Sequence, residues 1–454
     1  MKKRILAISF LTTLTFGYAI EPACAILDFN KNKQEEKTIL DYVNFDWWKN
    51  LDDPYLEKYI VTAINNNHDI KTAQLKLEQA KINVQMTRSN LMPTLSVGAS
   101  PMLAKLPGQT STVGAFGVPI MASYELDLFG KNFDKLKSSK QILQSSQYQA
   151  QVSEISILSM VATVYYNIVK LDKLISIQEK LVQDREQIYK LMKLSNDEGL
   201  VSTSDLILAE KAFVMSQNEL LDYQKGRKNA LNALAVLIGD SAENTNEYER
   251  ISLDELKDEI QVPDEISSDV IINRPDYKAL EKQLEASGID IRVAKKEFLP
   301  TIDILGLLGF AVTSLPGGGS MNWDSTLGLL AGNATLPLFT GFKRTANLKL
   351  NKNKYAQILE QYQKTNLVAI QEVNDSLYNL KADNEKYLNN IKALNIQKKD
   401  FNYSQLKFDE GIISKLDLLQ QNESLMYMEK LAASPKIDCY IDRIGLYKAT
   451  GAQL

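Results

Sequence analysis

The sequence predicts an α+β membrane protein, in which long α-helical coiled coils build one barrel and a β-barrel is shared between three chains. Three observations predict this: two very long stretches without Gly or Pro, segments with strand alternation, and an internal duplication. The long stretches are 131–198 and 342–410, of 68 and 69 residues. Because Gly and Pro interrupt most folds, each stretch should be one helix, roughly 100 Å long at about 1.5 Å per residue. A helix of that length needs partners along it.

Apolar residues recur every seven positions in both long stretches. The second stretch carries Val373, Leu380, Tyr387, Leu394, Phe401 and Phe408. The first has its set 212 positions earlier, at Val161, Ile168, Ile175, Val182 and Tyr189. A seven-residue repeat is typical of coiled coils. Alone it favours a filamentous coiled coil, so the segments around the helices decide between that and a more complex architecture.

Composition excludes several functions. The chain has 454 residues, 44% of them hydrophobic and 24% charged, which is typical of an ordered protein. A formal net charge of -4 argues against nucleic acid as a partner. The single His, His68, and two Cys leave little room for His-based catalysis or a metal site. We therefore expect no enzymatic activity, no cofactor and no metal.

Residues 1–25 have the pattern of a secretory signal peptide: basic residues at 2–4, an apolar run, and small residues at 23–25. Cleavage after Ala25 would give a mature protein that starts at Ile26. Cys24 could instead be a lipidated first residue, as in bacterial lipoproteins. That motif normally has Leu three positions earlier, where this chain has Glu21. Both alternatives place the protein outside the cytoplasm.

Two segments alternate in the manner of β-strands. In the first, 94–129, one face is apolar: Phe116, Val118, Ile120, Ala122, Tyr124, Leu126 and Leu128. Such strands fit a barrel with lipid on one side and water on the other, although a half-buried strand of a soluble sheet alternates in the same way. The second segment, 301–340, has a clear third strand, but its fourth, near 325–338, alternates poorly.

The chain repeats one plan twice. The predicted order is a signal peptide (1–25), an N-terminal segment (26–55), a first repeat (56–239), an acidic equatorial linker (240–268) and a second repeat (269–454). The first repeat comprises a helix that runs to about residue 91, strand pair 94–129, long helix 131–198 and return helix 203–238. The second comprises a helix, strand pair 301–340, long helix 342–410 and return helix 414–450. Pro435 should kink or interrupt the last helix.

Four strands per chain cannot close a membrane barrel, and open sheet edges are not tolerated in hydrocarbon. Several chains must therefore pool their strands, and three chains give 12, the smallest closed barrel of useful bore. We expect a homotrimer in contact with outer-membrane lipid, whose long helices continue as a hollow cylinder.

The chain resembles the TolC-like outer-membrane efflux channels, and within them the NodT-type subgroup of RND efflux systems. The motifs that carry the resemblance are Trp47-Trp48, Asp53-Pro54-Tyr55-Leu56, Arg274-Pro275-Asp276, Phe298-Leu299-Pro300, Leu336-Pro337-Leu338-Phe339-Thr340-Gly341 and Tyr447-Lys448-Ala449-Thr450-Gly451. The resemblance implies a trimeric conduit of the bacterial outer membrane that extends into the periplasm. It also implies two partners, a periplasmic adaptor protein and an inner-membrane pump.

The resemblance leaves two channel roles and one structural role to compare. The first is a passive exit duct for drugs or other small molecules in a tripartite efflux system. The second is the outer-membrane channel of a type I protein secretion system. A secreted coiled-coil scaffold is the third, but a scaffold needs no alternating strands bounded by Pro and Gly.

Two groups of residues are candidate functional sites at the periplasmic end. The tips where the long helices reverse are expected to contact the adaptor through Gly199, Leu200, Val201, Gly411, Ile412 and Ile413. These apolar residues could instead close their own hairpins. The resemblance implies that position 417 and the position three residues later line the closed aperture, which here are Asp417 and Gln420, with Asp205 at the matching place in the first repeat. Asp417 could instead only stabilise the start of its helix.

Overall fold

The structure is a computed structural model, and it describes residues 46–105, 112–243, 245, 248–257, 262–263, 266–314 and 325–452. The expected signal peptide and Cys24 lie outside these residues.

Eight α-helices are present in the described residues. They are α1 (Pro54–Asn66), α2 (His68–Ser89), α3 (Lys131–Asp197), α4 (Thr203–Ile238), α5 (Asp269–Ile272), α6 (Pro275–Lys296), α7 (Lys343–Asp409) and α8 (Lys415–Ala449). Two 3-10 turns, Trp47–Leu51 and Leu253–Glu255, complete the helical elements. Each of the two longest helices, α3 and α7, has 67 residues.

The first helix of the first repeat is broken where the sequence predicts one continuous helix. Asn67 separates α1 from α2, and its side-chain oxygen accepts hydrogen bonds from the backbone N–H groups of Asp69 (2.8 Å) and Ile70 (3.0 Å). Its Nδ2 donates to the Leu237 carbonyl at the end of α4, at 2.8 Å. The prediction was wrong because a buried Asn that caps a new helix and binds a distant carbonyl has no periodic signature.

The strands form one antiparallel sheet. Its segments are β1 (Thr94–Val97), β2 (Ser100–Lys105), β3 (Thr112–Leu126), β4 (Thr301–Ser314) and β5 (Ser325–Thr335). β3 pairs with β4, and β4 pairs with β5. Both β1 and β2 pair with β3, so the sheet is four strands wide, with β1–β2 at one edge and β5 at the other.

β1 and β2 are one strand with a local interruption. Both keep the same register on β3, because Val97 faces Ile120 and Ser100 faces Gly117. Pro119 lies in the gap and has no N–H to donate to the facing strand, so the ladder is lost there. The Gly98 N–H still donates to the Pro119 carbonyl, at 2.9 Å.

The helices lie side by side in a row, both in the half of the long helices nearer the sheet and in the half away from it. Away from the sheet, α3 packs between α4 and α8, and α7 packs on the other side of α8. Nearer the sheet, α3 packs between α2 and α6, and α7 packs against α6. α7 is therefore one end of the row at both levels.

The largest buried cluster lies halfway along the long helices. There the middle of α3, with Tyr165 and Tyr166 fully buried, meets the C-terminal half of α8, α1, the end of α4 and the first 3-10 turn. Trp47 stacks on Tyr447 with ring centroids 5.3 Å apart. The motif residues at 47–48 and 447 thus fasten the start of the described chain to its last helix.

The segment between the repeats wraps this same level. The guanidinium of Arg250 pairs with Asp172 on α3, and the Ile251 N–H donates to the Tyr165 hydroxyl at 3.0 Å. Lys436 on α8 donates to the Leu256 carbonyl at 2.7 Å. The segment is held to both helices by polar contacts.

Within the described residues, α3 alone is long and apolar enough to cross a membrane by length and composition. Half of its most apolar 18-residue window is buried inside the protein, and core helices meet the same criteria.

Pro435 does not interrupt the last helix, since α8 runs through it from Lys415 to Ala449. Proline cannot donate to the carbonyl four residues earlier, that of Leu431. The Asn390 side chain on α7 donates to this carbonyl instead, with Nδ2 2.6 Å from the oxygen. The expected interruption is wrong because a neighbouring helix supplies the missing hydrogen bond.

Candidate functional site at the helix tips

α3 ends in a turn closed by a glycine. Gly199 adopts the left-handed conformation, with φ of 72°. Its N–H donates to the Asn196 carbonyl at 2.9 Å, and the Leu200 N–H donates to the Ser195 carbonyl at 2.8 Å. These two bonds make a Schellman motif, which satisfies the last carbonyls of the helix and reverses the chain.

α7 ends in the same turn. Gly411 has φ of 76°, and its N–H donates to the Phe408 carbonyl at 2.9 Å. The Ile412 N–H donates to the Lys407 carbonyl at 2.8 Å. A Cβ placed on either tip glycine would meet no atom within 4 Å, so backbone conformation and not crowding is what calls for Gly here. The chain therefore builds one tip design twice.

Each tip presents one exposed apolar side chain. Leu200 is 77% exposed and Ile412 is 64% exposed. Val201 and Ile413, the next residues, are partly covered. The Val201 carbonyl accepts a hydrogen bond from Asn196 Nδ2 at 3.0 Å, which holds the loop against the end of α3.

The return helices begin with matching serine caps. The Ser202 hydroxyl accepts from the Asp205 N–H at 3.1 Å and donates to the Asp205 carboxylate at 2.7 Å. The Ser414 hydroxyl accepts from the Asp417 N–H at 3.1 Å and donates to the Asp417 carboxylate at 2.7 Å. The Ser414 N–H also donates to that carboxylate, at 2.9 Å, which completes a capping box on α8.

The three residues predicted at the aperture are all solvent-exposed in the single chain: Asp205, Asp417 and Gln420. Asp417 and Gln420 are three positions apart on α8, so they share a face. The hydrogen bonds from the Ser414 hydroxyl and N–H lower the pKa of Asp417 below its ordinary value. In one chain this carboxylate is thus charged at neutral pH, and it also caps its helix.

A series of polar contacts joins the first hairpin, formed by α3 and α4, to the second hairpin, formed by α7 and α8. We call this series the polar ladder. Arg185 on α3 binds Glu423 on α8, with Nε 2.9 Å from Oε1. Asn422 Nδ2 donates to the neighbouring Asp184 carboxylate at 2.6 Å. The next rung is Lys430 of α8, whose Nζ contacts the buried Gln178 of α3 and lies 2.8 Å from the Glu219 carboxylate of α4.

Sequence reasoning missed this ladder because its partners are more than 200 positions apart. The one available signal was that α3 and α8 run antiparallel. Residue numbers therefore rise along α8 as the numbers of their partners fall along α3. The highest rung follows this order too, since Lys170 lies 2.9 Å from Asp438. Predicting these contacts from the sequence would have required knowing which residues of α3 lie beside which residues of α8.

Among the residues that the structure describes, no group of three or more His, Cys, Asp or Glu has the geometry of a metal site. Cys24 lies outside the described residues, so both alternatives for the signal, cleavage after Ala25 and lipidation of Cys24, stay predictions.

The sequence matches the family described as "Outer membrane efflux protein" over residues 59–240 and 266–452, one range in each repeat. One similar protein is the "Toluene efflux pump outer membrane protein TtgC" of Pseudomonas putida. It is 26% identical over 417 residues, which cover 89% of this chain and 84% of that protein. Another is the "Cation efflux system protein CusC" of Escherichia coli, 23% identical over 90% of this chain and 89% of that one.

The fold is also similar to a solved structure, the CmeC outer membrane channel of Campylobacter jejuni. The two share 25% identity and superimpose with a TM-score of 0.81, over 91% of this chain and 89% of that one.

Proposed function

The chain belongs to the outer membrane efflux protein family, and we propose from this premise that its two helix tips are the docking surface for a periplasmic adaptor protein. It is a trimeric channel of the bacterial outer membrane that extends into the periplasm. Each chain contributes four strands to a shared barrel and its long helices to a helical cylinder. As the outer-membrane component of an efflux system it works with an inner-membrane pump.

The exposed side chains of Leu200 and Ile412 carry the docking proposal. The Schellman turns satisfy the backbone at each tip without any help from these side chains. An exposed apolar side chain costs free energy in water, so a matched pair on two protruding turns favours a partner surface. Val201 and Ile413, which are partly covered, fit the other role of closing the hairpins.

We assign the channel to small-molecule efflux. One relative is named for toluene and another for cations, although they resemble this chain to a similar degree. A passive duct selects weakly, so the cargo follows from the pump with which it assembles. These names do not favour a type I protein secretion channel or a secreted scaffold.

Asp417 and Gln420 are proposed to face the threefold axis at the narrow periplasmic end. Threefold symmetry would turn each position into a ring, and a ring of carboxylates favours cations in the pore. Three Asp417 carboxylates in one ring would repel one another, which opposes the pKa-lowering effect of Ser414. The alternative is that Asp417 serves only its capping box, a role that the Ser414 contacts support directly.

The docking proposal is tested by equilibrium binding of the purified trimer to the adaptor purified from the same organism. In the test variant Leu200→Ser and Ile412→Ser are combined, and the matched control combines Leu200→Met with Ile412→Met. Because the turns are held by backbone bonds, both variants should assemble normally. We expect adaptor binding to weaken about tenfold or more in the Ser variant, since two apolar side chains no longer reach the partner, and to persist in the Met variant.

A Ser variant that binds the adaptor as tightly as wild type, with its trimer intact, would remove the tips from the interface. Equally weakened binding in the Ser and Met variants would also contradict the proposal, because it would show that apolar character at these positions is not what the partner contacts.

A further inference from the structure

α8 contains a proline in its interior, and its missing hydrogen bond is replaced from outside the helix. Pro435 has no N–H, so the Leu431 carbonyl loses its helical donor. Asn390 of α7 donates to that carbonyl at 2.6 Å. A proline in a helix is a common origin of bending, because one rung of the hydrogen-bond ladder is absent on that side.

The helix after Pro435 is fixed to the core. Lys436 Nζ donates to the Leu256 carbonyl at 2.7 Å, and the Tyr440 hydroxyl donates to the Lys257 carbonyl at 3.1 Å. Ile437, Cys439 and Ile444 are almost completely buried. This part of α8 cannot move without opening the largest buried cluster of the protein.

The helix before Pro435 is held differently. Its links to the first hairpin are polar contacts made by Asn422, Glu423 and Lys430, together with one small apolar cluster in which Met426 packs with Ile177 and Leu181 of α3. Both side chains of the Arg185–Glu423 pair remain about one quarter exposed. Ion pairs that water can reach contribute little each, so this half of α8 is held to the first hairpin less firmly than the half after Pro435, which belongs to the largest buried cluster.

A cavity of about 500 Å³ lies beside the proline. Its lining includes Leu431, Ser434 and Pro435 from α8, with Asn390 from α7 and Tyr223 from α4. This space gives α8 room to bend on the side of the cavity.

We propose that Pro435 and Asn390 form a hinge in α8, about which residues 415–431 bend as an arm while residues 436–449 stay fixed. Asp417 lies 18 residues from the proline, so the arm is about 27 Å long at 1.5 Å per residue. A bend of about 10° then moves its tip by roughly 5 Å. The link to aperture width rests on the proposed function, which places Asp417 at the pore axis.

Alanine substitutions at Asn390 and Pro435 should change the stiffness of the hinge in opposite directions. Pro435→Ala restores the N–H donor to Leu431, so α8 regains its full ladder and stiffens. Asn390→Ala removes the side-chain donor from the Leu431 carbonyl, so the proline site softens and water takes over the carbonyl. Asn389→Ala is the matched control, because Asn389 is the adjacent exposed residue on the same helix.

The hinge is tested by spin-label distance measurements between protomers of the full-length trimer. Lys415→Cys places the label on the arm, and Lys448→Cys places it on the fixed part; both positions are exposed. Native Cys439 does not interfere, because it is buried and burial raises the pKa of its thiol to about 12. The widths of the distance distributions are then compared among wild type, Pro435→Ala, Asn390→Ala and Asn389→Ala.

We expect the distribution at position 415 to be roughly twofold narrower in Pro435→Ala and broader in Asn390→Ala, since the two changes stiffen and soften one site. Position 448 should not change in any variant, and Asn389→Ala should match wild type at both positions. Equal widths at position 415 in Pro435→Ala, Asn390→Ala and wild type would overturn the hinge.

The outcome is independent of the aperture proposal, because the widths are measured without ion flow. If the widths change as expected and channel conductance does not, the hinge stands and the assignment of Asp417 to the pore axis fails. If conductance depends on Asp417 but the widths are all equal, the aperture stands and the hinge fails.

Discussion

Arg274 and Ala449 are joined by a hydrogen bond of 2.7 Å between the guanidinium Nη1 and the last carbonyl of α8. The same guanidinium binds both carboxylate oxygens of Asp276, at 3.0 and 2.7 Å, and the Glu372 carboxylate at 2.7 Å. Its side chain is only 9% exposed. One arginine therefore ties the start of α6, the middle of α7 and the end of α8 together.

Replacing Arg274 should destabilise the protein according to how many of these hydrogen bonds the new side chain can still make. Arg274→Met leaves the Ala449 carbonyl and two carboxylates without their donor, which should cost about 2–4 kcal/mol of unfolding free energy. Arg274→Lys keeps the charge but cannot reach three acceptors with one ammonium, so it should cost less. Thermal melting of the detergent-solubilised trimer should give melting temperatures that fall in the order wild type, Arg274→Lys, Arg274→Met. An Arg274→Met variant with the melting temperature of wild type would show that these contacts of Arg274 do not stabilise the protein.

Replacing each of two glycines that share one backbone conformation by alanine should destabilise the protein to different extents. Gly239 at the end of α4 has φ of 71°, and a Cβ there would lie 2.7 Å from the Asn66 carbonyl oxygen. Gly199 has φ of 72° and open space around it. Gly199→Ala should therefore cost about 1–2 kcal/mol for the left-handed conformation alone, and Gly239→Ala about 2–5 kcal/mol because overlap is added.

Melting temperatures of the two alanine variants give the comparison directly. Equal destabilisation by Gly239→Ala and Gly199→Ala would mean that the close approach of α1 to the end of α4 does not hold in solution.

Asp442 on α8 should make stability fall as the pH rises. Burial, the nearby Asp383 carboxylate and Asp438 raise the pKa of Asp442 from 3.8 to about 7. Between these two values the folded protein holds a proton that the unfolded chain has released, so the free energy of unfolding decreases from about pH 4 to about pH 7 and is then constant. Asp442→Asn removes this effect, and it should raise the melting temperature at pH 8 but not at pH 4.

Asp222→Asn on α4 is the control for this pH series, because Asp222 is exposed. A constant difference between Asp442→Asn and wild type from pH 4 to pH 8 would show that Asp442 titrates normally.

The fold class could be predicted from sequence because its signals are long and local. A stretch of more than 60 residues without Gly or Pro, with apolar residues every seventh position, has few structures open to it. The fold class is confirmed by the comparisons with known channels. The break at Asn67 and the continuity of α8 through Pro435 were missed, because each depends on a side chain or carbonyl from a distant helix.

The candidate site was predictable only in part. Gly199 and Gly411 mark helix ends on sequence grounds alone, since glycine favours the left-handed turn that closes a helix. The ladder from Arg185 to Lys430 depends on the register between α3 and α8, which no single helix encodes. Which side chains reach the pore axis depends on the trimer, so the aperture residues stay a prediction.

The central functional claim is that Asp417 and Gln420 line the aperture of the channel. Ion selectivity of single channels in planar bilayers tests this claim most directly. Asp417→Asn removes the charge but retains an oxygen for the Ser414 cap, Asp417→Glu keeps the charge, and Gln420→Asp adds a second carboxylate three residues away. If Asp417 and Gln420 line the aperture, reversal potentials in a KCl gradient should show cation preference reduced in Asp417→Asn, retained in Asp417→Glu and increased in Gln420→Asp. Unchanged reversal potentials in Asp417→Asn and Gln420→Asp, with intact trimers, would contradict the account and leave Asp417 as a helix cap.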